Sequence, residues 1–468
     1  MSGKLRFALL FVVLLLAVPA ATAKAVARMP VGFFDDPSFR WASDPLANLK
    51  AAQQVHASII HVLADWATIA PTKPASPLNG NDPAYELSDL DALVESAQKF
   101  DFQVLLTISG TPKWANGGQT PNHPPTNLTN LTQFARMLAT RYNGGHAGRG
   151  TVSRFSVWNE PNLQQFLTPQ FEGSTIVSPG IYSKLYMAAY KGIKAGNPKA
   201  LVAIGETSNR GRNHPTGGGD DSVAPATFAH LLSEAAPKIP FDAWATHPYP
   251  TLDRLGPAQR VAYPNVAFST MTRFGSDLQK WFHRRVPIWI TEYAEQTVPQ
   301  DLHTGGVSYA QQASDARKAL QLAAANPYVE MFVWFVFRDS TPETWFSGLE
   351  TASGVKKNAY RTFAAAAKGI EGESQTVSPG KPFLIELPIP VITYFDAPGA
   401  HVTVSYKIFS GSSLVAAKQV PGTIQTDARV SLPVAFKPAK GKKYGMIVYV
   451  ADKHGNVAQT IYALLPST

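Results

Sequence analysis

The sequence predicts a (β/α)8 barrel followed by an antiparallel β-sandwich, an α/β fold with an all-β domain at its C-terminus. Three observations support this prediction. The chain has 468 residues, which is too many for one ordinary core. Short apolar runs alternate with longer amphipathic segments between Met29 and Ile370. After Lys381 the apolar residues instead recur with a period of two.

Residues 1–23 are predicted to be a signal peptide. Lys4 and Arg6 precede the apolar run Phe7–Val18, and the small residues of Ala21-Thr22-Ala23 fit a cleavage site. The run is shorter than the ~20 residues that cross a bilayer, which argues against a retained membrane anchor. We therefore expect a secreted or cell-envelope protein with no membrane insertion after cleavage. The absence of cysteine from such an exported chain suggests a bacterial source.

Eight apolar runs within residues 24–370 predict the barrel strands. Several are nearly continuous in apolar residues, as expected for strands buried on both faces. An open doubly wound sheet is the competing arrangement, but the first β–α turn lacks a G-x-G-x-x-G signature. The runs begin near Val31, Ser58, Phe102, Val152, Leu201, Phe241, Val286 and Val329, and helices are predicted over Leu90–Phe100, Leu131–Tyr142, Tyr182–Ala195, Val266–Phe282 and Tyr309–Ala325.

The C-terminal part of the chain divides into a linker, residues 371–381, and a β-sandwich, residues 382–468. The linker is polar and rich in turn-forming residues. In the sandwich, apolar residues alternate over 402–408, 430–436 and 446–450, with a turn at His454-Gly455-Asn456. This domain either binds carbohydrate or covers one side of the barrel. We favour the covering role, because the alternating strands show no obvious exposed row of aromatic residues.

Charge and motif composition restrict the ligands. The net charge of +9 is compatible with an acidic polymer, but the basic residues are scattered, which favours solvated surface charge. No Lys/Arg run with interleaved aromatics appears, so nucleic acid is not expected. No histidine or carboxylate cluster has metal-ligand spacing, and no phosphate-binding glycine loop is present. We expect no metal and no other cofactor.

Two glutamates end apolar strands on the rim where barrel enzymes place their active sites. Glu160 follows the fourth strand in WNEP, and Glu292 follows the seventh in WITEY. A lone glutamate is more often a solvated ion-pair partner, but two at corresponding strand ends predict a catalytic pair. Such a pair cleaves a glycosidic bond, because one carboxyl protonates the departing oxygen and the other attacks or stabilises the sugar carbon. Glu295 is the alternative to Glu292, which we favour because it directly follows the strand.

These motifs resemble the signatures of clan A glycoside hydrolases, most of all family 39 and related secreted polysaccharide hydrolases. The likeness covers the barrel from Met29 to Ile370 and does not extend to the tail. It implies that Glu160 is the acid/base, that Glu292 is the nucleophile, and that the anomeric configuration is retained. Further matches are Asn159, which would bind the sugar hydroxyl next to the reacting carbon, His247 and Tyr249 in a His-x-Tyr element whose tyrosine contacts the nucleophile, and Trp334 as an aromatic floor.

Other polar and aromatic residues at strand ends are candidate substrate contacts. Sugar rings stack on flat aromatic side chains, so Trp66, Trp114 and Trp345 are candidate subsite walls, although a barrel tryptophan more often packs in the core. Glu206 ends the fifth strand and binds either sugar or another rim residue. His247, taken alone, is more typical of a buried core histidine.

The chemistry sets two expectations for the geometry. A nucleophile must be ionised, and a hydroxyl donor such as Tyr249 lowers the pKa of Glu292. A carboxyl separation of about 5 to 5.5 Å indicates retention, whereas about 6.5 to 9.5 Å indicates inversion.

The sequence thus predicts a monomeric retaining glycoside hydrolase that acts on a polysaccharide or oligosaccharide outside the cytoplasm. One alternative is a carbohydrate-binding protein on a degenerate barrel, which the presence of both carboxylates argues against. The other is a transglycosylase that uses the same residues. The sugar, the linkage and endo or exo action depend on loop shape, and the Gly/Asn/Pro-rich loops 115–130 and 209–222 are expected to shape a groove.

Overall fold

The structure is a computed structural model. It describes residues 29–146, 148–297, 305–326, 328–340, 345–371, 373–388, 399–410, 413–425, 429–451, 453 and 457–466. The predicted signal peptide, residues 1–23, and the predicted turn at 454–456 lie outside the described residues.

Eight parallel strands close into a barrel in which each strand neighbours the next along the chain, and the first strand pairs with both the second and the last. Helices return the chain between strands, as parallel pairing requires. The predicted fold and all eight predicted strand positions are confirmed. The strands are β1 (Val31–Phe34), β2 (Ile59–Asp65), β3 (Gln103–Ser109), β4 (Arg154–Val157), β5 (Leu201–Ser208), β6 (Ala243–His247), β7 (Ile288–Ile290) and β8 (Val329–Phe335).

The helices surround the barrel. They are α1 (Pro45–Gln54), α2 (Trp66–Ile69), α3 (Ser88–Lys99), α4 (Leu128–Arg141), α5 (Ser178–Gly196), α6 (Pro225–Ala235), α7 (Phe268–Trp281), α8 (Tyr309–Ala325) and α9 (Asn358–Glu371). The five predicted helices are present, whereas α1, α2, α6 and α9 were not located from the sequence. None of the described helices is long and apolar enough to cross a lipid bilayer.

The barrel has two apolar layers. Residues that point toward the barrel axis form a small inner cluster in which Ala203, Ala243 and Ala245 leave room for Trp289. The opposite faces of the strands pack against the helices in a much larger cluster. Because successive side chains of a strand point to opposite faces, the inner cluster shows which residues of each strand face the axis.

The C-terminal domain is a β-sandwich, as predicted. Its strands are β9 (Glu373–Val377), β10 (Phe383–Pro388), β11 (His401–Ser410), β12 (Ser413–Thr423), β13 (Arg429–Val434), β14 (Tyr444–Ala451) and β15 (Val457–Pro466). A five-stranded sheet has the order β9-β15-β14-β11-β12, and a two-stranded sheet pairs β10 with β13. The two sheets share one apolar core. The predicted linker contains β9, which pairs in parallel with β15.

Candidate active site

Three glutamates and one histidine converge from four successive strands. Glu160 follows β4, Glu206 lies near the end of β5, His247 is the last residue of β6, and Glu292 follows β7. The carboxyl ends of all barrel strands open on the same rim, so residues far apart in the chain meet there. The structure therefore brings the two predicted catalytic glutamates together.

The backbone is strained where two of these glutamates are placed. Trp158, Glu160 and Glu206 have positive φ angles of 71°, 37° and 47°. Such angles are costly for residues other than glycine and persist only where surrounding contacts impose them. Here the Glu160 N–H donates to the Glu206 carbonyl at 2.9 Å, and the Trp158 indole donates to the Phe166 carbonyl at 2.6 Å. Strain of this kind clusters at functional sites.

His247 lies at the centre of the three carboxylates and is completely buried. Its Nδ1 is 3.0 Å from Oε1 of Glu160 and 3.6 Å from Oε2 of Glu292, and its Nε2 is 2.9 Å from Oε2 of Glu206. Burial alone lowers the pKa of His247, but the charges and hydrogen bonds of the three glutamates raise it well above its ordinary value. The ring is therefore an imidazolium that donates from both nitrogens.

Glu292 lies beside this cation and is only 8% exposed. The Tyr249 hydroxyl donates to its Oε2 at 2.9 Å. Burial raises the pKa of Glu292 to about 7, and the charge of Glu160 adds to that effect, while His247 and the Tyr249 hydroxyl oppose it. The predicted lowering by Tyr249 is thus present, but the burial of Glu292 outweighs it.

Glu206 is 1% exposed and does not reach the opening. The Thr291 hydroxyl donates to its Oε2 at 2.6 Å, and His247 donates to the same atom. Burial alone raises the pKa of Glu206, but the hydrogen bond and charge of His247 lower it below its ordinary value. Of the two roles that the sequence left open, the geometry favours contact with another rim residue over sugar binding.

A second buried histidine, which sequence reasoning missed, lies below this cluster. His61 has its Nδ1 3.0 Å from the Thr291 carbonyl and its Nε2 2.6 Å from the Thr107 hydroxyl, which lies 2.5 Å from the Ser156 hydroxyl. Burial lowers the pKa of His61 to about 4, so the ring is neutral. A neutral ring with Nδ1–H satisfies both contacts, because it donates to the carbonyl and accepts from the hydroxyl. These hydrogen bonds connect His61, Thr107 and Ser156 to Thr291, the residue that precedes Glu292.

Glu295 is fully buried behind the site. The Tyr293 hydroxyl donates to its Oε1 at 2.5 Å, and the Tyr293 ring stacks on Tyr249 at 6.2 Å. Burial, together with the nearby Asp315, raises the pKa of Glu295 to about 10. A neutral, enclosed carboxyl group of this kind has no access to a substrate, so the geometry favours Glu292 over Glu295.

The aromatic wall of the site differs from the prediction. Trp334 is fully buried, donates from its indole to the Ser347 carbonyl at 2.9 Å, and has no face available for a sugar. The next residue, Phe335, is partly exposed and points to the opposite side of β8. Its ring lies 5.2 Å from that of Phe34 and 5.4 Å from that of Trp345. The prediction that Trp334 forms the aromatic surface of the site was therefore wrong. The candidate aromatic wall consists of Phe34, Phe335 and Trp345.

Trp66 and Trp114 make no contact with the cluster of Glu160, Glu206, His247 and Glu292 among the described contacts. Trp66 is buried and stacks on Phe134 of α4 at 5.4 Å, and Trp114 packs edge-on against it and donates to the Ala70 carbonyl at 2.8 Å. The cavity beside them is only about 20 Å³, enough for a water molecule but not for a sugar ring. Both predicted subsite walls are thus packing residues here.

Asn159 directly precedes Glu160 and is partly exposed.

Sequence comparisons give limited information. No protein-family model matches the chain. A rice protein (Oryza sativa subsp. japonica) described as Beta-glucosidase-like SFR2, chloroplastic, is 26% identical over 133 residues. That match covers 28% of this chain and 19% of the length of the rice protein.

Solved structures of glycoside hydrolases resemble the chain over most of its length. A family 39 glycoside hydrolase from Bacteroides cellulosilyticus WH2 has 15% identity and a TM-score of 0.53, covering 91% of this chain and 81% of that one. A glucosidase from Croceicoccus marinus has 11% identity and a TM-score of 0.56, covering 93% and 97%. GH5_18 from Streptomyces cattleya, solved with GlcNAc, has 18% identity and a TM-score of 0.52, covering 76% and 86%. These likenesses show that the chain has the fold of these glycosidases.

Proposed function

We propose that this chain is a glycosidase that hydrolyses O-glycosidic bonds with retention of configuration, with Glu160 as the acid/base and Glu292 as the nucleophile. The observation that carries the proposal is that one nitrogen of His247 contacts both carboxylates, at 3.0 Å and 3.6 Å. The two groups therefore face the same small space, where a single glycosidic bond fits between them.

The contacts of His247 also support the stereochemistry. The two carboxylate oxygens can be no further apart than the sum of their distances to Nδ1, and they reach that limit only if the three atoms are collinear. That limit, about 6.6 Å, lies at the lower edge of the roughly 6.5 to 9.5 Å that an inverting enzyme needs to hold a water molecule, and a bend at Nδ1 shortens the separation further. The arrangement favours the shorter spacing of about 5 to 5.5 Å that is typical of retention.

The proposed mechanism has two displacements. Glu292 attacks the anomeric carbon as the Glu160 carboxyl gives its proton to the departing oxygen, so the carbon–oxygen bond breaks and a glycosyl ester forms. Glu160, now a carboxylate, takes a proton from water, which attacks the same carbon and restores both glutamates. His247 donates to Oε1 of Glu160, which leaves Oε2 free to carry the proton. The His247 cation also stabilises the Glu292 carboxylate before attack.

Phe34, Phe335 and Trp345 support a carbohydrate substrate. Aromatic faces and edges pack against the apolar C–H groups of sugar rings. The Trp345 ring also lies 6.5 Å from that of Tyr249, which donates to Glu292. The aromatic wall thus borders the nucleophile, where the reacting sugar would bind.

We also propose that the protein is exported, as residues 1–23 predict, that it works as a monomer, and that it acts on an extracellular polysaccharide or oligosaccharide. N-terminal sequencing of protein from the culture medium tests export. A mature chain that begins at Lys24 supports the proposal, and one that retains Met1 contradicts it.

The catalytic roles are tested with a panel of nitrophenyl glycosides and polysaccharides. Glu160→Gln and Glu292→Gln are each expected to lower kcat by at least about 10³-fold on the substrate that the panel identifies. Glu295→Gln, three residues from Glu292 and buried, is the matched control and is expected to keep kcat within about threefold. Full activity of Glu292→Gln contradicts the assignment. Proton NMR of the first product formed distinguishes retention from inversion.

A further inference from the structure

A groove of about 440 Å³, lined mainly by polar residues, opens among the loops that follow β4, β5 and β6. Its volume falls within the roughly 300 to 1,000 Å³ of ligand pockets. The sequence predicted that the loop 209–222 shapes a groove, and residues of that loop form one wall. The mechanism proposed above does not use this groove.

The groove begins next to the acid/base. Leu163 lies in its wall, and the Leu163 N–H donates to the Glu160 carbonyl at 2.9 Å. Thr251, which also lines the groove, lies two residues after Tyr249 in the chain. In a glycosidase the acid protonates the oxygen of the leaving group, so the leaving group extends from the acid. A groove that begins at the Glu160 segment is therefore on the side of the leaving group.

Hydrogen bonds between the loops fix the shape of the groove. The Asn162 amide donates to the Arg210 carbonyl at 3.2 Å and to the Val223 carbonyl at 2.9 Å. The Gly211 N–H donates to the Asn265 side chain at 3.0 Å. Gly211 permits this close approach, because a Cβ there would lie 2.0 Å from the Val223 backbone. The groove is thus formed before any ligand binds, which lowers the cost of binding.

The lining suits sugar hydroxyl groups. It includes the amide, guanidinium, hydroxyl and carboxylate side chains of Gln164, Gln165, Arg210, Thr251 and Asp221. These side chains provide both hydrogen-bond donors and acceptors, whereas the aromatic wall lies on the Glu292 side of the site. The chemistry changes from apolar, where the reacting sugar would stack, to polar, where a hydroxyl-rich leaving group would bind.

We propose that this groove binds the sugar residues of the leaving group, so that the substrate is a sugar chain rather than a glycoside with a small aglycone. This inference rests on the proposed function. The same groove would bind the sugar that replaces water as acceptor if the enzyme transfers glycosyl groups.

The test compares two substrates with different leaving groups. One is an oligosaccharide of the polymer that the wild-type enzyme cleaves, and the other is the glycosyl fluoride of the same reacting sugar, which has no leaving-group sugar. In the variant Gln165→Ala/Arg210→Ala, two exposed side chains are truncated, so folding is preserved. We expect its kcat/KM to fall about tenfold on the oligosaccharide and to change less than about twofold on the fluoride. The control Arg254→Ala, an exposed residue outside the groove lining, is expected to change neither.

A second measurement does not depend on these side chains. For the wild-type enzyme, kcat/KM is expected to rise as sugars are added to the leaving group, until the groove is filled. Equal losses on both substrates, no loss on either, or no dependence on leaving-group length overturns the inference. If the wild-type enzyme hydrolyses neither the fluoride nor any oligosaccharide, the proposed function itself fails.

Discussion

At the residue scale, the charge balance of the site depends on His247. One imidazolium contacts three glutamates, and each glutamate depends on it differently: Glu160 accepts a hydrogen bond, Glu292 gains a nearby positive charge, and Glu206 remains ionised in a buried place. Because Glu206 holds the nitrogen that faces away from the opening, it is a positioning residue for His247 rather than a catalytic one.

Glu206→Gln tests that positioning role. The substitution keeps an oxygen that accepts from Nε2 but removes one negative charge, so the pKa of His247 falls. We expect kcat to drop roughly 10- to 100-fold and the loss of activity at high pH to begin at a lower pH, because the imidazolium deprotonates earlier. The measurement is the pH profile of kcat for both proteins. A uniform loss of activity with an unshifted profile would mean that Glu206 has only a structural role.

The pKa of Glu292 predicts the acidic side of the profile. A nucleophile with a pKa of about 7 is mostly protonated at pH 6, so kcat/KM is expected to rise between about pH 6 and pH 8. Tyr249→Phe removes a hydroxyl that lowers this pKa and is expected to move the rise to higher pH. The result to look for is the apparent pKa of kcat/KM. A rise centred near 4.5 in the wild-type enzyme would show that Glu292 is ionised far more easily than its burial implies.

Glu295 makes a separate prediction about stability. Its folded pKa of about 10 lies above its unfolded value, so its favourable contribution is complete at low pH and is lost as pH rises from about 4.5 toward 10. Glu295→Gln removes that dependence. The variant is expected to gain stability over the wild-type protein as pH rises, by up to about 1.4 kcal/mol per pH unit. Urea unfolding at pH 5, 7 and 9 measures the difference, and a constant difference would refute the buried neutral acid.

At the element scale, the alternation of side chains along each strand determines which residues face the site. His61 and Thr107 face the barrel axis because they follow Ile59 and Leu105 of the inner cluster by two positions. By the same rule, Phe335 faces the barrel axis, because it follows Val333 of the inner cluster by two positions, whereas Trp334 points to the opposite face. The sequence displays this period, so Phe335 could have been identified in advance. The resemblance favoured a tryptophan, and that choice selected the residue on the wrong face.

The strand and helix predictions were correct where a single hydrophobic pattern was long and continuous. The buried barrel strands are apolar throughout, and helices such as α4 and α7 show a clear apolar face. The short helix α1 has a weak pattern, although Asp44 caps it by accepting from the Ala47 N–H. Nothing in the sequence indicates that Trp66 packs against Phe134 or that Trp114 packs against Trp66, because the first contact depends on how α4 lies against α2.

The contact between α4 and α5 provides a test at this scale. Gly192 of α5 lies so close to α4 that a Cβ would be 2.2 Å from the Thr132 carbonyl, whereas a Cβ at Gly180 of the same helix would meet nothing within 4 Å. Gly192→Ala is expected to destabilise the protein by about 1–3 kcal/mol through overpacking. Gly180→Ala is expected to be neutral or to stabilise it by up to about 1 kcal/mol. The melting temperatures of the two variants test this difference. Equal melting temperatures would contradict the close approach of Gly192 to α4.

At the scale of the whole molecule, barrel closure creates the site. Glu160 and Glu292 belong to strands far apart in the chain, and they meet because consecutive parallel strands open on one rim. The sequence allowed this convergence to be predicted from the two strand ends. It did not reveal the Glu206–His247 contact or the groove, since both depend on contacts between loops and strands that have no local signature.

The β-sandwich lies against the outside of the barrel. The Tyr449 hydroxyl of β14 donates to the Ala324 carbonyl of α8 at 2.9 Å, and Ile447 of the same strand packs against the apolar layer between helices and barrel. These contacts support the covering role that we favoured from the sequence. They lie on the helical side of the barrel, whereas Glu160 and Glu292 lie at its rim.

The most direct test of the account is to trap the glycosyl-enzyme. An activated 2-deoxy-2-fluoro glycoside of the preferred sugar slows the second displacement more than the first, so the covalent ester accumulates. Peptide mass spectrometry is expected to find one sugar on Glu292, and the label is expected to disappear in Glu292→Gln. A label on Glu295 or on any other residue, or turnover with inversion and no label, would contradict the central claim.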